Sequence, residues 1–98
     1  MSILHLVNKS PYERPSLETC LAYYQAGDAI LLIEDGVYAA VNGGRAASGL
    51  QGLDVAVLGP DLAARGIRQE KLIDGVKVVD YGGFVDLTVA KDKIQSWL

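Results

Sequence analysis

Ala29-Ile30-Leu31-Leu32-Ile33-Glu34-Asp35-Gly36 is the stretch that decides how this chain folds. Five consecutive apolar residues without alternation suit a strand buried on both faces, as in the middle of a parallel sheet. Glu34-Asp35-Gly36 then breaks the run with turn chemistry. Asp35 is placed to cap a short helix continuing through Val37-Tyr38-Ala39-Ala40-Val41. A buried strand that passes directly into a helix is the first half of a β-α-β unit.

The same pattern recurs outward in both directions. Ile3 to Val7, Asp54 to Leu58 and Val76 to Val79 are short apolar runs, each followed by turn or cap residues. Between the first two runs, Leu17, Leu21 and Tyr24 lie at helical spacing and predict a helix from near Ser16, with Gly27 as its stop. Ser10-Pro11-Tyr12-Glu13 has the form of a capping box, but Pro15 would interrupt a helix begun there, so a loop or single turn is expected. Asn42-Gly43-Gly44 closes the helix after the second strand, and Arg45 to Gly52 carries no assigned element. Gly59-Pro60-Asp61 opens a short helix, Leu62 to Arg65, closed by Gly66. Asp80-Tyr81-Gly82-Gly83 leads into a last helix, Phe84 to Lys91, and Ile94 to Leu98 reads as a short edge strand. The alternation predicts an α/β fold: a four- or five-stranded, mainly parallel sheet with helices on both faces.

The chain has 98 residues, which suits one domain over 1–98, and half of them are hydrophobic. A formal net charge of −3 and scattered Lys and Arg argue against direct nucleic-acid binding. One cysteine allows no internal disulfide and fits a reducing compartment. The segment from Met1 to Asn8 lacks the basic n-region of a signal peptide, and no apolar run reaches the roughly 20 residues of a membrane span. A cytoplasmic location is the expectation.

In an open parallel sheet, reactive groups gather beyond the carboxyl ends of the strands. The loops expected there are Asn8 to Arg14, Glu34 to Tyr38, Gly59 to Asp61 and Asp80 to Phe84. They contain no G-x-G-x-x-G fingerprint, no Walker A sequence and no serine nucleophile elbow. One histidine and one cysteine cannot build an ordinary zinc site, so no metal or organic cofactor is expected.

Cys20 is the strongest nucleophile in the chain, and two readings of it stand side by side. It lies about one turn into the first helix, where the helix N-terminus, Lys9 and Arg14 could lower its pKa. It also shares the apolar stripe of Leu17, Leu21 and Tyr24, where a free cysteine is commonly buried and inert. His5, inside the first strand, reads as a packed histidine bonded to backbone. Tyr38 reads as a packing or interface residue, and Arg45 either as solvated or as aimed at an anion or a partner's carboxylate.

The run Leu4-His5-Leu6-Val7-Asn8-Lys9-Ser10-Pro11-Tyr12-Glu13-Arg14 resembles the opening of the DsrH/TusB family within the DsrE-like superfamily. So do the blocks Leu31 to Ala40, Leu58 to Gly66 and Val79 to Thr88, together with Trp97, all in the family's order and across nearly the whole chain. The resemblance implies a flavodoxin-like three-layer sandwich. It also implies a place in a heterohexameric sulfur-relay complex with DsrE/TusD-like and DsrF/TusC-like subunits. Such complexes hand cysteine persulfide to a DsrC/TusE-like carrier, for sulfur oxidation or for tRNA wobble-uridine thiolation. The principal sulfur-binding cysteine lies on the DsrE/TusD-like subunit. DsrH-like chains keep a cysteine in the first helix; Cys20 matches it, which makes it the candidate persulfide carrier and favours the DsrH-like branch.

Three functional classes follow. The first is a sulfurtransferase subunit using Cys20. The second is a non-catalytic assembly subunit of the same complex. The third is a stand-alone anion-binding module on the carboxyl-edge loops. For the first, Cys20 must be at least partly exposed near the carboxyl edge, with Lys9 or Arg14 close by. Exposed apolar or aromatic side chains among Tyr38, Phe84 and Trp97 are expected to contribute to an interface.

Overall fold

The computed structural model describes residues 2–97. Its strands are β1 (Ile3–Val7), β2 (Ala29–Leu32), β3 (Val55–Leu58), β4 (Lys77–Val79) and β5 (Lys93–Trp97). They form one sheet in the order β4-β3-β2-β1-β5, and every neighbouring pair is parallel. Every residue of β2 and β3 is buried, as their unbroken apolar runs require of central strands. The expected fold class, an α/β sandwich around a parallel sheet, is what the chain adopts. The fifth strand pairs with β1 from Lys93 onward; the predicted end at Leu98 lies outside the described residues.

Side chains alternate between two cores. Val7, Ile30, Leu32, Val55 and Val57 face α1 (Ser16–Tyr23), a 3-10 helix (Glu34–Ala40) and α2 (Gly59–Ala64). Leu4, Ala29, Leu31 and Ala56 face the opposite side, where α3 (Tyr81–Ala90) supplies Phe84 and Leu87. The second face is thinly covered. No residue of α3 is fully buried, and Tyr81, Val85 and Val89, at successive i, i+4 positions, remain 62%, 58% and 80% exposed.

Local chemistry explains where the elements start. Residues 10–14 form a single turn on the Ser10 carbonyl, and α1 begins at Ser16 after Pro15, as the proline spacing predicts. The last helix starts at Tyr81, not Phe84, because the Asp80 carboxylate accepts from Gly83 N–H at 2.8 Å and draws the glycine pair into the first turn. Residues 47–50 of the unassigned segment form a 3-10 turn.

Asp35 does not cap the helix after β2. Glu34 adopts φ 50°, a left-handed conformation that points its N–H at Asp61 Oδ2, 2.6 Å away, while Asp35 Oδ1 accepts from Arg65 Nε at 2.9 Å. The turn also needs Gly36: a Cβ there would overlap the Val7 carbonyl oxygen. That oxygen accepts from Ile33 N–H, so it cannot withdraw without breaking a bond. Gly36→Ala should therefore cost about 1–3 kcal/mol through overpacking, read as a lower urea midpoint. An unchanged midpoint would mean that the β1–β2 crossing can spread at no cost.

Candidate functional site

Cys20 is wholly buried, in the core that also contains Leu17, Ile30 and Leu50. Burial pushes its thiol pKa up to about 12, and the nearby Asp28 carboxylate adds to the shift. The exposure expected of Cys20, and the lowering expected from Lys9 or Arg14, are thus corrected. α1 turns its apolar stripe inward, and Cys20 lies on that stripe. In this structure the thiol is enclosed, and its raised pKa favours the protonated form.

Beside it lies a buried polar network that the sequence did not reveal. His5 and Asp28 are 1% and 3% exposed. Trp97 Nε1 donates to His5 Nδ1 at 3.0 Å, and His5 Nε2 lies 2.9 Å from Asp28 Oδ2. An indole N–H can only donate, so Nδ1 accepts, Nε2 carries the proton, and the ring in this arrangement is the neutral tautomer donating to the carboxylate. His5 is therefore bonded to two side chains rather than to backbone. With both nitrogens engaged it cannot act as a base for Cys20.

Asp28 is the hub of this network. Its oxygens also accept from Ile3 N–H at 3.0 Å and Gln25 N–H at 3.1 Å. Burial alone would raise its pKa; the bonds from His5, Gln25 and Ile3 outweigh burial and hold it below the usual carboxylate range. Tyr24 Oη donates to the Asp28 carbonyl at 3.0 Å and accepts from Asp54 N–H at 3.2 Å, linking the starts of β2 and β3. Trp97, stacked 6.0 Å from His5 and 5.5 Å from Tyr23, turns inward; Phe84 of α3 packs half-buried against the Leu4, Leu31 and Ala56 face of the sheet. Of the three aromatic residues expected to contribute exposed surface, Tyr38 is the most open, at 37%, and Phe84 and Trp97 are partly exposed.

The carboxyl edge carries acids committed to structure. Asn8 Nδ2 donates to Glu34 Oε2 at 3.3 Å, Asp61 holds the Glu34 N–H, and Asp35 pairs with Arg65. Between the ends of β3 and β4, where α2 and α3 leave for opposite faces, lies an open cleft of about 430 Å³ lined by Gly59, Pro60, Val79, Asp80 and Gly83. The Asp80 carboxylate fills the helix end that an anion would use there. A second cavity, of about 360 Å³, lies between residues 11–21 and 45–49 and brings Arg14 and Arg45 to one rim. Among the described residues no group of three or more His, Cys, Asp or Glu side chains could hold a metal ion, and no helix is long and apolar enough to cross a membrane.

The fold and site define a small α/β protein with one all-parallel five-stranded sheet and a buried cysteine. The family described as DsrH like protein matches residues 9–94, and the chain belongs to that DsrH/TusB family. It is 38% identical over 97 residues to Protein TusB of Pectobacterium parmentieri, a match spanning 97% of this chain and all of that one. Against Protein TusB of Escherichia coli (strain K12 / DH10B) it is 34% identical, with the same coverage. Among solved structures, the ychN protein from E. coli matches with a TM-score of 0.81 at 23% identity, covering 98% of each chain. Protein Tm0979 from Thermotoga maritima matches with a TM-score of 0.67 at 26% identity, covering 92% of this chain and 93% of that one.

Proposed function

We propose that this chain is an assembly subunit of a sulfur-relay complex and carries no sulfur on its own cysteine. Membership of the DsrH/TusB family supports the relay assignment. The observation that carries the subunit's role is the burial of Cys20, its thiol pKa raised to about 12. In persulfide transfer, a thiolate attacks the outer sulfur of a partner's persulfide, a new S–S bond forms and the partner leaves as thiolate. A thiol that is protonated and enclosed can do neither part. The chain instead offers the exposed stripe Tyr81, Val85 and Val89, with Ile94 half exposed on β5, as apolar surface for DsrE/TusD-like and DsrF/TusC-like partners.

The test uses the assembled complex, a persulfidated donor and mass spectrometry of each chain. The partner chains should gain sulfur while this chain gains none, and Cys20→Ser should leave transfer unchanged. Val89→Asp, at an 80% exposed position, should lower co-purification of partners. One added sulfur atom on the wild-type chain, lost in Cys20→Ser, would restore the carrier reading. Undiminished co-purification of Val89→Asp would remove α3 from the interface.

A further inference from the structure

We propose that the cavity beside α1 binds a small organic anion, with its acid group between Arg14 and Arg45 and its body on Leu17, Leu21 and Ala46. The two arginines are 31 positions apart in sequence, and the fold brings them to one concavity of about 360 Å³. That volume lies within the usual range of small-ligand pockets. Its floor is apolar and its charge is concentrated at the rim, the division expected of a site that orients a ligand by one end.

The state of these arginines separates them from the others. Arg65 pairs with Asp35 at 2.9 Å and Arg68 with Glu70 at 3.5 Å. Among the described residues, neither Arg14 nor Arg45 has an ion-pair partner or donates a side-chain hydrogen bond. This holds although Glu18 lines the same cavity and the chain as a whole is acidic. Two guanidinium forks and one carboxylate leave the rim net positive. Planar forks bind the paired oxygens of a phosphate ester or a carboxylate in the same way. The cavity is shaped by close packing: a Cβ on Gly49 would come within 3.1 Å of Leu21 Cδ1, and one on Gly44 would overlap the Tyr12 hydroxyl. Both glycines thus let the 45–49 segment and its arginine sit close to the first helix. The cleft between β3 and β4 lacks this character, because its one charged group is the Asp80 carboxylate.

The test is a titration of the full chain followed by amide NMR shifts, with phenyl phosphate, benzoate, inorganic phosphate and phenol as separate probes. Phenyl phosphate or benzoate should saturate with a dissociation constant near about 1 mM or tighter, moving amides of residues 14–21 and 45–49. Whichever binds more tightly identifies the acid group. Inorganic phosphate and phenol, each lacking one half of the ligand, should bind at least about tenfold more weakly. Arg14→Ala and Arg45→Ala should each weaken binding about tenfold, the loss expected of one charge-assisted bond, while Arg68→Ala should not. All three positions are exposed, so dispersed amide spectra should confirm that the variants fold. The absence of saturable shifts at about 10 mM, far above a millimolar constant, would overturn the site. Equal binding by both arginine variants, or by inorganic phosphate and phenyl phosphate, would also overturn it.

Discussion

Iodoacetamide should modify Cys20 in the native chain on the order of a thousandfold more slowly than in the urea-unfolded chain at pH 8. The thiolate is the reacting species. An unstructured cysteine, with an unshifted pKa of about 9, is partly ionised at that pH, and one near 12 is almost wholly protonated. Enclosure slows the reaction further. The same shift makes stability depend on pH, with a sign that follows from which state ionises first. Well below about pH 9, the unshifted value, Cys20 is protonated in both states and its full contribution is present. Above that, the unfolded chain releases the proton first, so stability falls as pH rises toward 12, by up to about 1.4 kcal/mol per pH unit. Cys20→Ala lacks this dependence. The stability difference between wild type and variant, measured by urea unfolding from pH 7 to 10, should therefore shift in the variant's favour above pH 9. Every other side chain is common to the two proteins and cancels in the difference. Native labelling as fast as unfolded labelling, or a difference independent of pH, would show that the thiol is open to solvent.

What was readable in the sequence tracks the range of the interactions involved. β2 and β3 were legible because burial on both faces leaves an unbroken apolar run, and their parallel pairing followed from the intervening caps. The start of α3 was misread because Gly82-Gly83 looks like loop until the Asp80 carboxylate is seen to cap it. Asp61, not Asp35, meets the N–H at the start of the helix after β2, because the positive φ of Glu34 is invisible in composition. The inward stripe on α1 contained the answer for Cys20, but helical periodicity alone does not say how deeply a face is buried. His5, Asp28 and Trp97 meet across separations of 23 and 92 residues, and the strand register that unites them is a property of the folded sheet. A lone histidine inside an apolar strand was the available signal that a carboxylate or a donor must be buried near it.

Asp28→Ala should cost about 3–5 kcal/mol, a large share of the roughly 5–15 kcal/mol that holds such domains folded. The carboxylate accepts from Ile3 N–H, Gln25 N–H and His5 Nε2–H. Removing it strands the His5 Nε2–H where His5 is 1% exposed, and breaks the part-buried bonds that tie the Ile3 and Gln25 N–H groups to the start of β2. Histidine cannot relieve its share by changing tautomer, because Trp97 Nε1–H already requires Nδ1 to accept. Asp28→Asn should cost less, about 1–3 kcal/mol, since one amide oxygen still accepts while the NH2 faces a donor. The charge gives this advantage a pH window. The folded-state pKa of Asp28 is lowered, so the wild type's margin over Asp28→Asn is fully present above the unfolded value near 3.8. It is lost as pH falls through the lower folded value, where Asp28 also carries a proton. Urea unfolding of both proteins between pH 7 and 3, followed by the fluorescence of Trp97 on its His5 and Tyr23 stack, should show the two stabilities converging only at the acid end. If Asp28→Ala unfolds at the wild-type midpoint, the network is ornamental and β5 is held by sheet pairing alone; if the margin over Asp28→Asn persists unchanged at pH 3, the carboxylate is not the charged hub that its three donors imply.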